Sequence, residues 1–129
     1  MKKTLILITL LMVILTGCTG GEQMVKSSYA TISAAEAKAI IDENDKALIL
    51  DVRTPEEFEE GHLENALLIP DYELDARAKD ELADKNALIL VYCRSGIRSA
   101  AAAENLAAMG YTNIYDMGGI IDWPYETVG

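Results

Sequence analysis

The sequence predicts an α/β protein, a three-layer α/β/α sandwich around a parallel sheet. Short apolar runs recur along the chain, each followed by a stretch of helical pattern, and that alternation marks strands joined by crossover helices. The runs Ala47 to Leu50 and Ala87 to Tyr92 are apolar without alternation, as a strand covered on both faces requires. The length, 129 residues, suits one domain plus a short extension. A folded part of about 100 residues still buries well over half of its unfolded surface.

Taken in order, the folded part starts near Tyr29, where Tyr29 to Ile32 has the pattern of a short edge strand. Ser33 followed by Glu36 has the spacing of a capping box and opens a helix through Ala37, Ile40 and Ile41, closed at Asn44-Asp45. The Ala47 to Leu50 strand ends at Asp51. Thr54 is placed as an N-cap, Pro55 suits a first helical turn, and Glu56 and Glu57 sit near that turn's positive end before Gly61 stops it. A further strand, Ala66 to Ile69, halts at Pro70, and the charged mixture from Leu74 to Leu82 reads as an exposed helix. Ala87 to Tyr92 is the clearest strand. Ser99 to Met109 is helical, with Ala102, Leu106 and Met109 on one face and Gly110 at its C-terminal cap. Asn113 to Met117 is a last strand, Gly118-Gly119 reads as a turn, and Trp123 as core or pocket wall.

The first residues read as a targeting segment. Lys2 and Lys3 form a basic start, Thr4 to Thr16 is apolar, and Gly17-Cys18 follows. The apolar run is shorter than the about 20 residues that a membrane span needs. Leu15-Thr16-Gly17-Cys18 resembles a bacterial lipobox, which implies a signal peptide over residues 1–17, acylation of Cys18, and a small, polar, flexible tether over 18–28. The domain, residues 29–129, is then expected in the cell envelope, extracytoplasmic and membrane-anchored as a lipoprotein. Two acyl chains are enough for a stable anchor. The net charge of −10 becomes more negative once Lys2 and Lys3 are cleaved away, so the domain is tethered to the membrane rather than lying on it. The same charge argues against nucleic acid as a partner.

Of the two cysteines, Cys18 is assigned to lipid, which leaves Cys93 without a partner inside the domain. Cys93 stands where a strand hands over to a helix. Ligands bind at the carboxyl ends of strands in open parallel sheets, and a helix starting there aims unpaired N–H groups and its positive end at the turn. The flanking Arg94, Ser95, Gly96 and Arg98 are not those of a buried apolar site. One histidine and one available cysteine argue against a zinc site, and nothing in the sequence calls for a cofactor. His62, in a Gly-His turn before a strand, reads as a structural residue. Asp51 and Arg53 flank a strand end beside the site and read as an ion pair that supports the loop. The acidic run Glu56 to Glu60 reads as a solvated helix face.

Four stretches together resemble the single-domain rhodanese family of sulfurtransferases: Asp51 to Phe58, Gly61-His62-Leu63 with Ala66 to Pro70, Cys93 to Ser99, and Gly118 to Trp123. They occur in family order, and the resemblance covers Tyr29 to Gly129. It implies a five-stranded parallel sheet with the cysteine loop at its carboxyl edge. It also implies that Cys93 takes a sulfane sulfur from a small sulfur-containing anion such as thiosulfate, carries it as a persulfide, and passes it to a thiol or cyanide-like acceptor, a protein among the candidates. The amides of Arg94, Ser95, Gly96, Ile97, Arg98 and Ser99 would form the cradle. The physical reading agrees, because the charge on a persulfide needs fixed donors, which a tight loop's backbone N–H groups supply.

Gly96 relaxes the backbone there, and either Arg94 or Arg98 could add charge for the donor. Four residues stand between Cys93 and Arg98, where related cysteine phosphatases have five before their arginine, so the cradle suits one sulfur atom better than a phosphate. Asn65 takes the place of a more usual glycine, and asparagine tolerates positive φ. A second reading remains open at this point, a non-catalytic persulfide carrier or thiol-binding module at the envelope.

Overall fold

The computed structural model describes residues 28–129. The expected signal peptide, the expected acylation site Cys18 and most of the expected tether therefore lie outside the described residues. Five strands, β1 (Ala30–Thr31), β2 (Leu48–Asp51), β3 (Leu67–Leu68), β4 (Ile89–Cys93) and β5 (Ile114–Gly119), form one sheet in the order β1-β5-β4-β2-β3. Every pairing is parallel. Between them run α1 (Ala34–Glu43), α2 (Pro55–Glu60), α3 (Leu74–Glu81) and α4 (Ile97–Ala108). The expected α/β/α sandwich is present.

Strand β4 shows why the apolar runs do not alternate. Ile89, Val91 and Cys93 pack on one side, with Ala78, Leu82, Ala102, Ala103 and Leu106 of the α3 and α4 layer. Leu90 and Tyr92 face the other side, with Ala37 of α1, Ile49 and Leu63. All five β4 residues are buried, so each face needs an apolar residue. Each such Leu or Ile, fully buried, contributes about 1.5–3 kcal/mol.

Local signals set several boundaries. Ser33 and Glu36 make the reciprocal capping box that starts α1, and the chain leaves that helix at Asn44. Thr54 and Glu57 make a second box at α2, with Pro55 in its first turn. Asn65 adopts φ 64°, the left-handed conformation that the missing glycine would have supplied.

Two differences from the sequence expectation bear on the site. Helix α4 starts at Ile97, two residues earlier than Ser99, because Gly96 takes φ 102° and turns the chain directly from the loop into the helix. Strand β5 runs on through Gly118-Gly119, which are not a separate turn: Gly119 pairs with Cys93 after a register shift in β4. A β-carbon on Gly119 would lie 2.2 Å from the Arg94 carbonyl oxygen. The strand continues because glycine lets it pass beneath the cysteine loop.

Candidate active site

Cys93 is the last residue of β4 and α4 begins four residues later, so Arg94 to Gly96 form a short loop that closes onto the helix N-terminus, Ile97 to Ser99, at the carboxyl edge of the sheet. Cys93 and Ser99 are buried at its base, while Arg94, Ser95 and Ile97 are exposed on its rim. The Gly96 N–H donates to Cys93 Sγ at 3.0 Å. Ser99 Oγ lies 3.5 Å from Sγ, 3.1 Å from the Gly96 carbonyl oxygen and 3.4 Å from that of Gly118. A hydroxyl has one proton to give. With a protonated sulfur, Ser99 accepts from the thiol and donates to a carbonyl. With a charged sulfur it is placed to turn its proton inward.

The two loop arginines are used differently. Arg98 makes a two-point ion pair with Glu57 of α2, Nη1 to Oε1 at 2.7 Å and Nη2 to Oε2 at 2.9 Å. The guanidinium holds the Glu57 carboxyl down at about 2, against partial burial that pushes it up and with help from the Thr54 amide. Arg94 forms no ion pair among the described residues. The sequence left open which arginine is engaged and read the acidic run as a solvated face. Glu56, Glu59 and Glu60 are exposed, but Glu57 is not part of that face.

Asp51 and Arg53 do not touch the thiol. Asp51, fully buried at the end of β2, accepts from the Arg53 amide at 2.9 Å, from Arg53 Nη2 at 2.7 Å and from the Tyr92 hydroxyl at 2.6 Å. Arg53 Nη2 also donates to the Gly61 carbonyl at 2.7 Å, and the Leu63 N–H donates to the Tyr92 oxygen at 3.1 Å. Burial first, then the Asp51 carboxylate, raises the Tyr92 pKa and keeps its hydroxyl a donor. This network ties the ends of β2 and β4 to the C-terminal end of α2. Neither Tyr92 nor Glu57 was singled out from sequence as a site residue. A tyrosine inside an otherwise apolar strand signals a hydroxyl needing a buried partner, whereas the spacing from Thr54 marks Glu57 as a helix-start residue and nothing local points it toward Arg98.

His62 is engaged elsewhere. Its Nδ1 lies 2.8 Å from the Phe58 carbonyl oxygen, its ring stacks on Phe58 at 3.6 Å, and its backbone bridges Val128. Trp123 is half-buried and lines a cleft of about 720 Å³ with Lys38, Asp42, Leu63, Asn65 and Tyr125. No residue of the cysteine loop lines that cleft.

The family profile for the rhodanese-like domain matches residues 33–124. The thiosulfate sulfurtransferase PspE of Escherichia coli K12 is 40% identical over 73 residues, covering 57% of this chain and 70% of that protein. The thiosulfate sulfurtransferase GlpE of Coxiella burnetii is 36% identical over 96 residues, 74% of this chain and 87% of that one. Among solved structures, a rhodanese-related protein from Thermoplasma volcanium superposes with a TM-score of 0.68 at 34% identity, over 78% of this chain and 98% of that one. A rhodanese-like domain protein from Staphylococcus aureus gives 0.67 at 33% identity, over 75% and 93%. With four motifs in order, a parallel sheet ending at a cysteine loop, and a profile match spanning most of the described residues, the chain belongs to the rhodanese-like family of sulfurtransferases.

Proposed function

We propose that the chain moves a sulfane sulfur from a donor such as thiosulfate to a thiophilic acceptor through a persulfide on Cys93, as a lipoprotein of the cell envelope. In the first half-reaction Cys93 Sγ attacks the outer sulfur of the donor. The sulfur–sulfur bond breaks, sulfite leaves with the bonding pair, and the sulfane sulfur stays on the protein. In the second half-reaction a thiolate or cyanide attacks that sulfur and Cys93 departs as thiolate. Cys93 is the nucleophile in one half and the leaving group in the other.

The observation that carries this reading is the Gly96 N–H on Sγ at 3.0 Å, within a loop that ends at the N-terminus of the twelve-residue α4. Donors fixed by the fold stabilise charge on sulfur without reorganising. Gly96 supplies both the donor and the turn that aims it. The lipid anchor rests on the basic residues, the apolar run and Cys18 standing in processing order.

Peptide mass spectrometry of the protein isolated from membranes after thiosulfate treatment reads both parts. The expected result is one added sulfur on Cys93, lost in Cys93→Ala or on adding cyanide, and a diacylglycerol group on an N-terminal Cys18. No sulfur adduct with any sulfane donor overturns the transfer reading, and an unprocessed N-terminus overturns the anchor. Loading without cyanide-dependent release marks a carrier rather than a turnover enzyme.

A further inference from the structure

The loop's sequence carries two positive charges, but its mouth offers only one to a ligand. Arg98 is neutralised by Glu57 in a two-point pair, and Glu57 is itself fixed. Its Oε1 accepts from the Thr54 hydroxyl at 3.2 Å, its amide donates to Thr54 Oγ1 at 3.3 Å, and Arg53 holds the far end of α2 through Gly61. Release of Arg98 toward a ligand would leave a half-buried carboxylate without its partner, so the pair resists opening. Arg94, exposed and unpaired among the described residues, is the remaining cation.

The mouth is also apolar. Of the five large apolar side chains most exposed among the described residues, three stand at this edge: Ile97, 79% exposed, Tyr72, 69%, and Ile121, 62%. Ile97 closes the loop, the Ile121 amide donates to the Arg94 carbonyl at 3.2 Å, and the helical turn Asp71–Glu73 that carries Tyr72 packs against α4. Apolar side chains gathered in water around a reactive centre mark a surface that contacts something organic.

We infer that Glu57 is a specificity-determining residue: by cancelling Arg98 it tunes the site toward monoanionic sulfane donors with an organic body, and away from the compact dianion thiosulfate. This rests on the sulfurtransferase reading. Thiosulfonates, R–SO2–S⁻, have the required chemistry. The Cys93 thiolate attacks the terminal sulfur, the sulfur–sulfur bond breaks, and the sulfinate R–SO2⁻ leaves with the bonding pair. One negative charge enters with the donor and one leaves with the sulfinate, so no oxidant or reductant is needed. The protein's net charge of −10 adds a long-range penalty that doubles for a dianion.

The test measures the donor concentration that half-saturates persulfide formation, for thiosulfate, methanethiosulfonate and benzenethiosulfonate. Glu57→Gln keeps an oxygen for Thr54 and removes the charge. At about threefold per unit of donor charge, half-saturation falls about tenfold for thiosulfate and about threefold for methanethiosulfonate. The thiosulfate reaction of the variant also becomes more sensitive to salt, which a merely structural change would not produce. In the wild type, benzenethiosulfonate half-saturates below methanethiosulfonate, and Ile97→Ser narrows that gap.

Equal shifts for both charges, or none, overturn the inference. Should Glu57→Gln not fold, the wild type decides: half-saturation lower for methanethiosulfonate than for thiosulfate supports it, and the reverse overturns it. Persulfide formation with an unchanged charge preference overturns this inference alone. No persulfide from any donor overturns the sulfur-transfer reading with it.

Discussion

Two arginine–carboxylate pairs draw their acids, Asp51 and Glu57, from one short stretch of chain, and they do different work. Asp51–Arg53 has side chains 0% and 5% exposed and is bound into the frame through the Tyr92 hydroxyl and the Gly61 carbonyl. Glu57–Arg98 has side chains 26% and 31% exposed and borders the loop that holds the thiol. In the first, desolvation is already spent and the network only makes sense whole. In the second, solvent screens part of the attraction, and the pair's main effect is on the charge a ligand meets.

The largest effect that would break this contrast is on stability. Arg53→Ala leaves Asp51 buried with its charge uncompensated and is expected to cost about 3–5 kcal/mol in urea unfolding. A loss below about 1 kcal/mol would place the buried pair on the same footing as a surface bridge. A second test moves the loop while leaving both pairs intact. Gly119→Ala drives a β-carbon onto the Arg94 carbonyl, 2.2 Å away, so the loop must shift. Unfolding should cost only about 1–3 kcal/mol, whereas persulfide formation should fall at least about tenfold, because displacement of about 1 Å can cost a hundredfold. Near-wild-type loading would show that the contact is relieved without touching the cradle.

The smallest effect concerns pH. The Glu57 carboxyl sits at about 2 in the fold against an ordinary 4.5. A depressed carboxyl stabilises the fold above its ordinary value, and that contribution is lost as pH falls through 4.5 toward about 2. Wild type should therefore exceed Glu57→Gln by about 1 kcal/mol near neutrality after screening, with the difference vanishing at the acid end. A difference independent of pH would assign the cost to the α2 cap.

What was legible in the sequence follows the range of the interaction. Ser33 with Glu36, Thr54 with Pro55, and the unbroken apolar run into Cys93 are local patterns, and each marked its element. Asn65 was legible because positive φ has few side chains to choose from. The Glu57–Arg98 pair spans 41 residues, and helical spacing alone does not say which acid of a run turns toward another segment. Gly118-Gly119 was misread because two adjacent glycines suggest a turn, while here one of them serves close contact between backbones. The α4 start was read late because a left-handed glycine can begin a helix inside a loop.

Glu57 and Cys93 reside on separate stretches, each built by its own local signals: a capping box over Thr54 to Glu57, and a glycine turn over Cys93 to Ile97. Donor choice and bond-making are thus encoded independently. A change at position 57 alters the charge that an incoming molecule meets without redrawing the cradle around the sulfur. The fold offers a way to retune which donor is accepted while the nucleophile and its amides stay as they are.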